Sequence, residues 1–403
     1  PQSYIGANNV QPSIINNSLV YCAARGGHVR ELGYSWQSNG FITGDLSLRA
    51  AHLFDTYEIV DMCYAKAPQP LLWFVSSTGK LLGLTYVPEQ SIGAWHWHDT
   101  DGSFESCTVV AEGKEDVLYV LVKRTINGSS KRYIERMASR LYTDQKNAFF
   151  VDCGATYDGT NTGSVTMTIS GGTTWAPGED LTITASSAKF SYPGSSDVGD
   201  AVVLTDTDGT EYRLRIMSTS STTVATVRTD KTIPAGLRNA AKTTWSLARN
   251  SISGLSWLEG KTVNILADGA VHPQRTVTSG SISLDRAATI VNVGLPIQAD
   301  LQTLPIAQQI DGSFGQGRFK NVNKAWLRVF QSSGIFIGPN ENQLVEAKQR
   351  TTEPYGTAPE LKSQEIMVMT SPSWADSGEV FIRQSDPLPL TIVNLTLEIA
   401  VGG

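Results

Sequence analysis

Three stretches of the chain repeat one another. "LVYCAARGGHVRELGYS" (19–35), "LLWFVSSTGKLLGLTYV" (71–87) and "VLYVLVKRTINGSSKRYIERM" (117–137) share one layout. Each runs an apolar-aromatic strand into a turn bearing Gly or Asn-Gly, then out through a second alternating strand. Tyr21, Trp73 and Tyr119 take equivalent places, 52 and 46 residues apart. "EIVDMCY" (58–64) and "FESCTVV" (104–110) align as well, each ahead of its hairpin. A recurring unit of about 45–50 residues with about four strands has the period of a β-propeller blade. Residues 1–157 therefore read as two or three blades. That is too few to close a ring, and an opening "PQSYIGANNV" without Met predicts either a longer precursor or a trimmed chain.

A chain of 403 residues exceeds one ordinary core. Near Asp158 the text turns Thr-, Ser- and Gly-rich, with strict alternation in "SVTMTIS", "LTITAS" and "EYRLRI" and turns at Pro177-Gly178 and Asp208-Gly209. This predicts a β-sandwich or barrel inserted over 158–250. From 251 to 403 longer strands return, with a hairpin turn at Asp268-Gly269 and a terminal strand in "DPLPLTIVNLTLEIAVGG". Residues 339–365 read as an exposed loop. The fold class is all-β: partial propeller-like blades, an inserted β-sandwich or barrel domain, and a further C-terminal β region.

The net charge of −6 argues against holding nucleic acid by neutralising phosphates, though not against letting DNA pass a like-charged wall. No run of about 18 apolar residues exists, so no membrane span is expected. Cys22, Cys63, Cys107 and Cys153 form no CxxC pair and read as mostly buried thiols of a protein made in a reducing cytoplasm.

"AWHWHDTDG" (94–102) is the chain's one metal-like motif. On a strand, His96 and His98 share one face and Trp95 and Trp97 the other, and paired imidazoles on a strand are a known zinc geometry. Asp99 points the opposite way unless the strand ends at the Asp101-Gly102 turn. The reading adopted is structural: the tryptophans face the core, and the histidines face solvent or a neighbouring subunit. His96 and His98 stay as the metal-ligand candidates. The "DTDG" runs at 99–102 and 206–209 read as turns, since the later ligands of a calcium loop are missing.

"SGGTTW" (170–175) resembles the Asp-box turn of sialidase propellers, but Ser170 stands in the Asp place. Glu31, Asp61, Glu105 and Glu135 are carboxylates that nothing ranks as an acid-base pair. His272, beside Pro273, reads as a loop residue. No hydrolase, nucleotide-binding or dinucleotide motif is present, so no catalytic residue and no cofactor is expected. The basic hairpin 122–136 carries Lys123, Arg124, Lys131, Arg132 and Arg136. It reads as a solvated face, or as an interface, through Lys123, Arg124, Lys131 and Arg132, with an acidic neighbour or DNA.

Several runs together resemble the tail nozzle proteins of short-tailed bacteriophages, also called tail tubular protein B. They are "RELGYSW" (30–36), "DLSLRAAHLF" (45–54), "GKLLGLTYVPEQSIGAWHWHDTDG" (79–102), "EDVLYVLVKR" (115–124) and "RYIERM" (132–137). Further on come "LEGKTVNILADG" (258–269), "VGLPIQADLQTLPI" (293–306) and "QSDPLPLTIVNLTLEIAVGG" (384–403). The resemblance implies a structural virion protein, not an enzyme, made in the host cytoplasm. It implies a homo-hexameric tube meeting a tail adaptor protein and tail fibres or spikes, with viral DNA crossing the lumen unbound during ejection. It also implies further blades ahead of residue 1. The 158–250 segment lies outside the resemblance. The alternative is a host-surface glycan-binding adhesin or tail-associated glycan hydrolase, with Trp36, Trp175 and Trp257 as exposed stacking aromatics.

Overall fold

A computed structural model of the chain describes residues 4–307, 309–310, 313–314, 317–348, 353 and 356–402. Among them every long element is an antiparallel strand, helix is confined to short 3-10 turns, and no helix is long and apolar enough to cross a membrane. The chain divides into two compact units, Pro1–Arg140 and Leu141–Gly403.

The first unit holds three meandering sheets. The first contains β1 (Ser13–Ile15), β2 (Ser18–Cys22), β3 (Val29–Ser35) and β4 (Gly40–Asp45) in that order. The second contains β5 (Ile59–Ala65), β6 (Leu71–Ser76), β7 (Leu81–Val87) and β8 (Ile92–His98). The third contains β9 (Ser103–Glu112), β10 (Glu115–Ile126) and β11 (Ser129–Arg136). The repeated hairpins thus become β2–β3, β6–β7 and β10–β11, and two sheets carry the four strands expected of a blade.

The sheets stack face to face. One core joins Val20, Cys22 and Phe54 to Leu72, Phe74 and Leu84; another joins Leu71, Trp73 and Val75 to Leu118, Val120 and Val122. β6 is covered on both faces, so all six of its residues are buried and "LLWFVS" shows no alternation. One expected equivalence fails. Val20 and Cys22 face the second sheet, so Tyr21 points away from it, whereas Trp73 and Tyr119 both point away from the sheet before theirs. A shift of one residue reverses a strand's faces, and the aromatic match misplaced β2 by that one step.

The second unit contains β12 (Asp152–Asp158), β13 (Met167–Ser170), β14 (Leu181–Ala185), β15 (Ala201–Thr205), β16 (Glu211–Thr219) and β17 (Val224–Thr229). They are followed by β18 (Ala241–Lys242), β19 (Trp245–Ser253), β20 (Thr262–Ala267), β21 (Ala270–Thr276), β22 (Ser281–Ala288) and β23 (Ile290–Leu295). Eight form one sheet in the order β18-β13-β14-β17-β16-β15-β19-β22. Laid flat, β18 and β19 would be six strand spacings apart, about 29 Å. Yet Lys242 and Trp245 are three Cα steps apart, at most about 11 Å. The sheet therefore rolls upon itself around one core that includes Ile169, Ile183, Leu204, Leu214, Val227 and Trp245.

β19 then leaves β15 and pairs with β22. A separate sheet, β12-β23-β20-β21, has its own core of Val263, Ile265, Val291 and Val293. The Asp268-Gly269 hairpin forms between β20 and β21 with both residues at positive φ, 49° and 79°, as a primed turn requires. His272 corrects one expectation: it belongs to β21, opposite Ile265, and its Nε2 accepts the Asp285 N–H at 3.0 Å. The neighbouring Pro273 is tolerated because the ladder shifts register there.

Toward the C-terminus, Lys320–Val329 lies between Glu365–Met369 and Ile392–Val401, so the expected terminal strand is present. Of the expected 339–365 loop, 349–352 and 354–355 lie outside the described residues. Within the rest, Val345–Glu346 pairs briefly with Phe336–Gly338 and Ala347 is buried.

Candidate functional site

The β7–β8 ladder sets Gly83 opposite His96, and β6–β7 sets Trp73 opposite Gly83. With no side chain at 83, the imidazole lies across the backbone: a Cβ there would be 2.1 Å from His96 Nε2. His96 and His98 each sit 5.6 Å from the Trp73 ring and 5.1 Å from one another, their own planes at 89°. This is a cluster of packed rings. Burial, then His98 and Arg140, hold His96 down at about 4; burial and Arg140 lower His98 in the same direction. His98 is exposed by area, although the rings of Trp73 and His96 lie beside it.

The division of faces expected from the motif is present, and the expectation of solvent is corrected for His96, whose ring packs on Trp73, whereas His98 is exposed. The histidines pack on Trp73 toward the third sheet's side of β8. Trp95 joins the opposite core against Phe54 and Phe74, at 4.8 and 5.2 Å. Trp97 shares that face but is 46% exposed under the Lys80 ammonium, 3.7 Å from its ring centre. On β8 only Trp95 and His96 are half-buried, and the strand's other residues are exposed. As chelators the histidines would have to turn toward one ion, which the lodging of His96 Nε2 over Gly83 opposes. Among the described residues no group of three or more His, Cys, Asp or Glu is placed to hold a metal.

The three arginines of the basic hairpin are paired within their own sheet. Arg124, 3% exposed, forks onto Glu135 at 2.6 and 2.7 Å. Its Nη1 reaches Thr100 Oγ1 and the Asp101 carbonyl, pinning the 99–102 turn. Arg132 forks onto Glu105, and Arg136 onto Glu112. Lys123 and Lys131 are exposed. Of the four interface candidates, then, Arg124 is interior, Arg132 is paired on the surface, and the two lysines present their charge to solvent.

The four unranked carboxylates are also structural partners. Glu31 accepts from the Tyr86 hydroxyl, Asp61 accepts the Cys107 N–H at 2.9 Å, and Glu105 and Glu135 hold the arginines above. The two DTDG runs form turns; in the second, Gly209 N–H returns to the Asp206 carbonyl at 3.0 Å. Two of the three proposed stacking aromatics are not surface groups. Trp175 is 8% exposed in the rolled sheet's core, and half-buried Trp257 donates to the Cys153 carbonyl. Trp36 is 79% exposed.

Two polar centres in the second unit have no sequence signature. Arg249 Nη1 bridges Asp197 at 2.6 Å and Asp200 at 2.9 Å. Burial pushes Asp197 up, but the Ser191 N–H and Arg249 outweigh it and leave it below the usual range. At Asp200 burial prevails over the Asn250 N–H and Arg249, leaving it above. A cavity of about 350 Å³ lies beside them, lined by Tyr157, Arg249, Ser251, Ser253, Leu255 and Val293, among others.

Glu179 occupies a nest in the "TTW" turn. It accepts the N–H groups of Thr173 and Trp175 at 2.6 Å and both threonine hydroxyls. Those bonds, Thr173's foremost, hold it at about 2. The Ser170 position that departs from the Asp-box is thus beside a turn closed by its own glutamate. No protein-family model matches the chain, and no curated protein matches it.

Proposed function

We propose that this chain is a structural subunit of a bacteriophage tail nozzle, assembling with copies of itself around a bore through which DNA passes. The observation that carries the reading is the use of its ionisable groups. The imidazoles pack on Trp73, three arginines of the basic hairpin are forked onto glutamates, and Glu31 and Asp61 are held in the sheet stack. A hairpin whose arginines are already paired, leaving Lys123 and Lys131 to solvent, on a chain of net charge −6, holds phosphates weakly.

The stretches resembling nozzle proteins fall on β3, β7–β8, β10–β11, β20 and the terminal strand, outside the rolled sheet of the 158–250 segment. That distribution supports a shared wall with an added domain. Light scattering after size exclusion tests the reading, with the chain alone and mixed with a tail adaptor ring. Co-elution as a multimer is the expected result; a monomer that ignores the adaptor contradicts it. The glycan reading has one observation in its favour, the hydroxyl-lined cavity beside Arg249 and Tyr157. Saturable binding on a glycan array, abolished by Arg249→Met in a folded protein, would support it.

A further inference from the structure

Cys63 and Cys107 lie on β5 and β9, the first strands of consecutive sheets, and both are thiols. Cys63 is the cross-strand partner of Trp73, and Cys107 Sγ lies 4.0 Å from the carbonyl of that same Trp73. The strands are tied at this point, because Asp61, two residues before Cys63, accepts the Cys107 N–H at 2.9 Å. Both side chains pack in one apolar cluster. Cys107 is 8% exposed, whereas Cys63 is half-buried. Cys22 lies in the other core of the unit against Met62 Sδ, and Cys153 in the second unit's β12.

We propose that Cys63 and Cys107 are a modification site: in the presence of a small-molecule disulfide they join as a disulfide that rivets the second sheet to the third. The oxidant supplies the two-electron change. Cys63, the more accessible thiol, loses its proton to solvent, and its sulfur attacks one sulfur of the oxidant. The oxidant's S–S bond breaks, releasing one reduced small thiol and leaving a mixed disulfide on Cys63. Cys107 then loses its proton and attacks the Cys63 sulfur. The mixed disulfide breaks, the Cys63–Cys107 bond forms, and the second small thiol departs. Two protein thiols are oxidised and one small disulfide is reduced.

The neighbouring Cys63 thiol and burial push the Cys107 thiol well above the usual range, so the second step is slow. The product closes a loop containing β6, β7 and β8 and restricts the unfolded chain. A chain folded with reduced thiols would gain the link on reaching an oxidising medium.

The test uses the wild-type chain, incubated with oxidised glutathione at about pH 8.5, near the ordinary thiol range. It is then quenched in acid, unfolded, alkylated and mapped by peptide mass spectrometry. The expected result is a crosslinked Cys63–Cys107 peptide in most molecules, with Cys22 and Cys153 alkylated. The thermal midpoint rises by several degrees and returns on reduction. Cys107→Ala, if folded, leaves glutathione stranded on Cys63. Four alkylated cysteines after prolonged oxidation, a lasting glutathione adduct on wild-type Cys63, or a crosslink involving Cys22 or Cys153 each overturns the proposal.

Discussion

Gly83 and His96 are cross-strand partners, and the imidazole fills the volume that a side chain at 83 would need, 2.1 Å from the absent Cβ. Overpacking of this kind costs about 1–3 kcal/mol. Gly83→Ala is therefore expected to lower stability by that amount in urea unfolding. Because His96 is the obstacle, Gly83→Ala should cost markedly less in a His96→Ala background. Additive losses in the double variant would show that the contact is not the cause.

The low position of His96 has a pH signature. An unfolded histidine takes up its proton near 6.5, whereas the folded one waits until about 4. The unfolded state binds more protons between these values, so the stability that neutral His96 provides is present above about 6.5 and is lost as pH falls through about 4. The full loss is about 3 kcal/mol, most of it by about pH 5. Urea midpoints at neutral pH and at pH 5 should fall further for wild type than for His96→Gln. Parallel falls in the two proteins would contradict the assignment.

Arg249→Met leaves Asp197 and Asp200, with side chains 2% and 1% exposed, without their counter-charge. Uncompensated buried charge of this kind costs about 3–5 kcal/mol. Asp200→Asn should cost less, since Asp197 still pairs with the guanidinium. Equal losses from the two substitutions in denaturant titrations would count against the bridge.

Glu179→Gln removes the charged acceptor from the Thr173–Trp175 nest and should lower the thermal midpoint by a few degrees, with Trp175 emission shifting to the red as the turn loosens. The folded carboxyl is depressed to about 2. The contribution is therefore present above about 4.3, its unfolded value, and is lost as pH falls through about 2. Unchanged Trp175 emission in the variant would argue that the nest does not hold the turn.

Much of the architecture was legible because turns and alternation are local. Asp268-Gly269 marks its hairpin by the need for positive φ at both positions, and the alternation of "TIVNLTLEIAV" marks a strand without reference to anything else. What could not be read is which face a strand turns inward, since that depends on the sheet laid against it. Tyr21 falls one residue out of place for that reason, and His96 turns onto Trp73, a residue of β6 that the motif itself does not contain, while His98 beside it stays exposed. Trp175 and Arg124 look like surface groups in sequence, but Trp175 packs in the rolled sheet's core with Arg238, 63 residues on, over its ring, and Arg124 is held by Glu135, 11 residues on. The Arg249 bridge joins residues 52 and 49 positions apart with no spacing rule to announce it.

The central claim is assembly into a conduit, and cryo-electron microscopy of the purified full chain at high concentration, with and without a tail adaptor ring, measures it directly. The account predicts class averages of closed six-fold rings with an open bore. Solitary particles under every condition, in a preparation that hydrolyses a glycan, would contradict it.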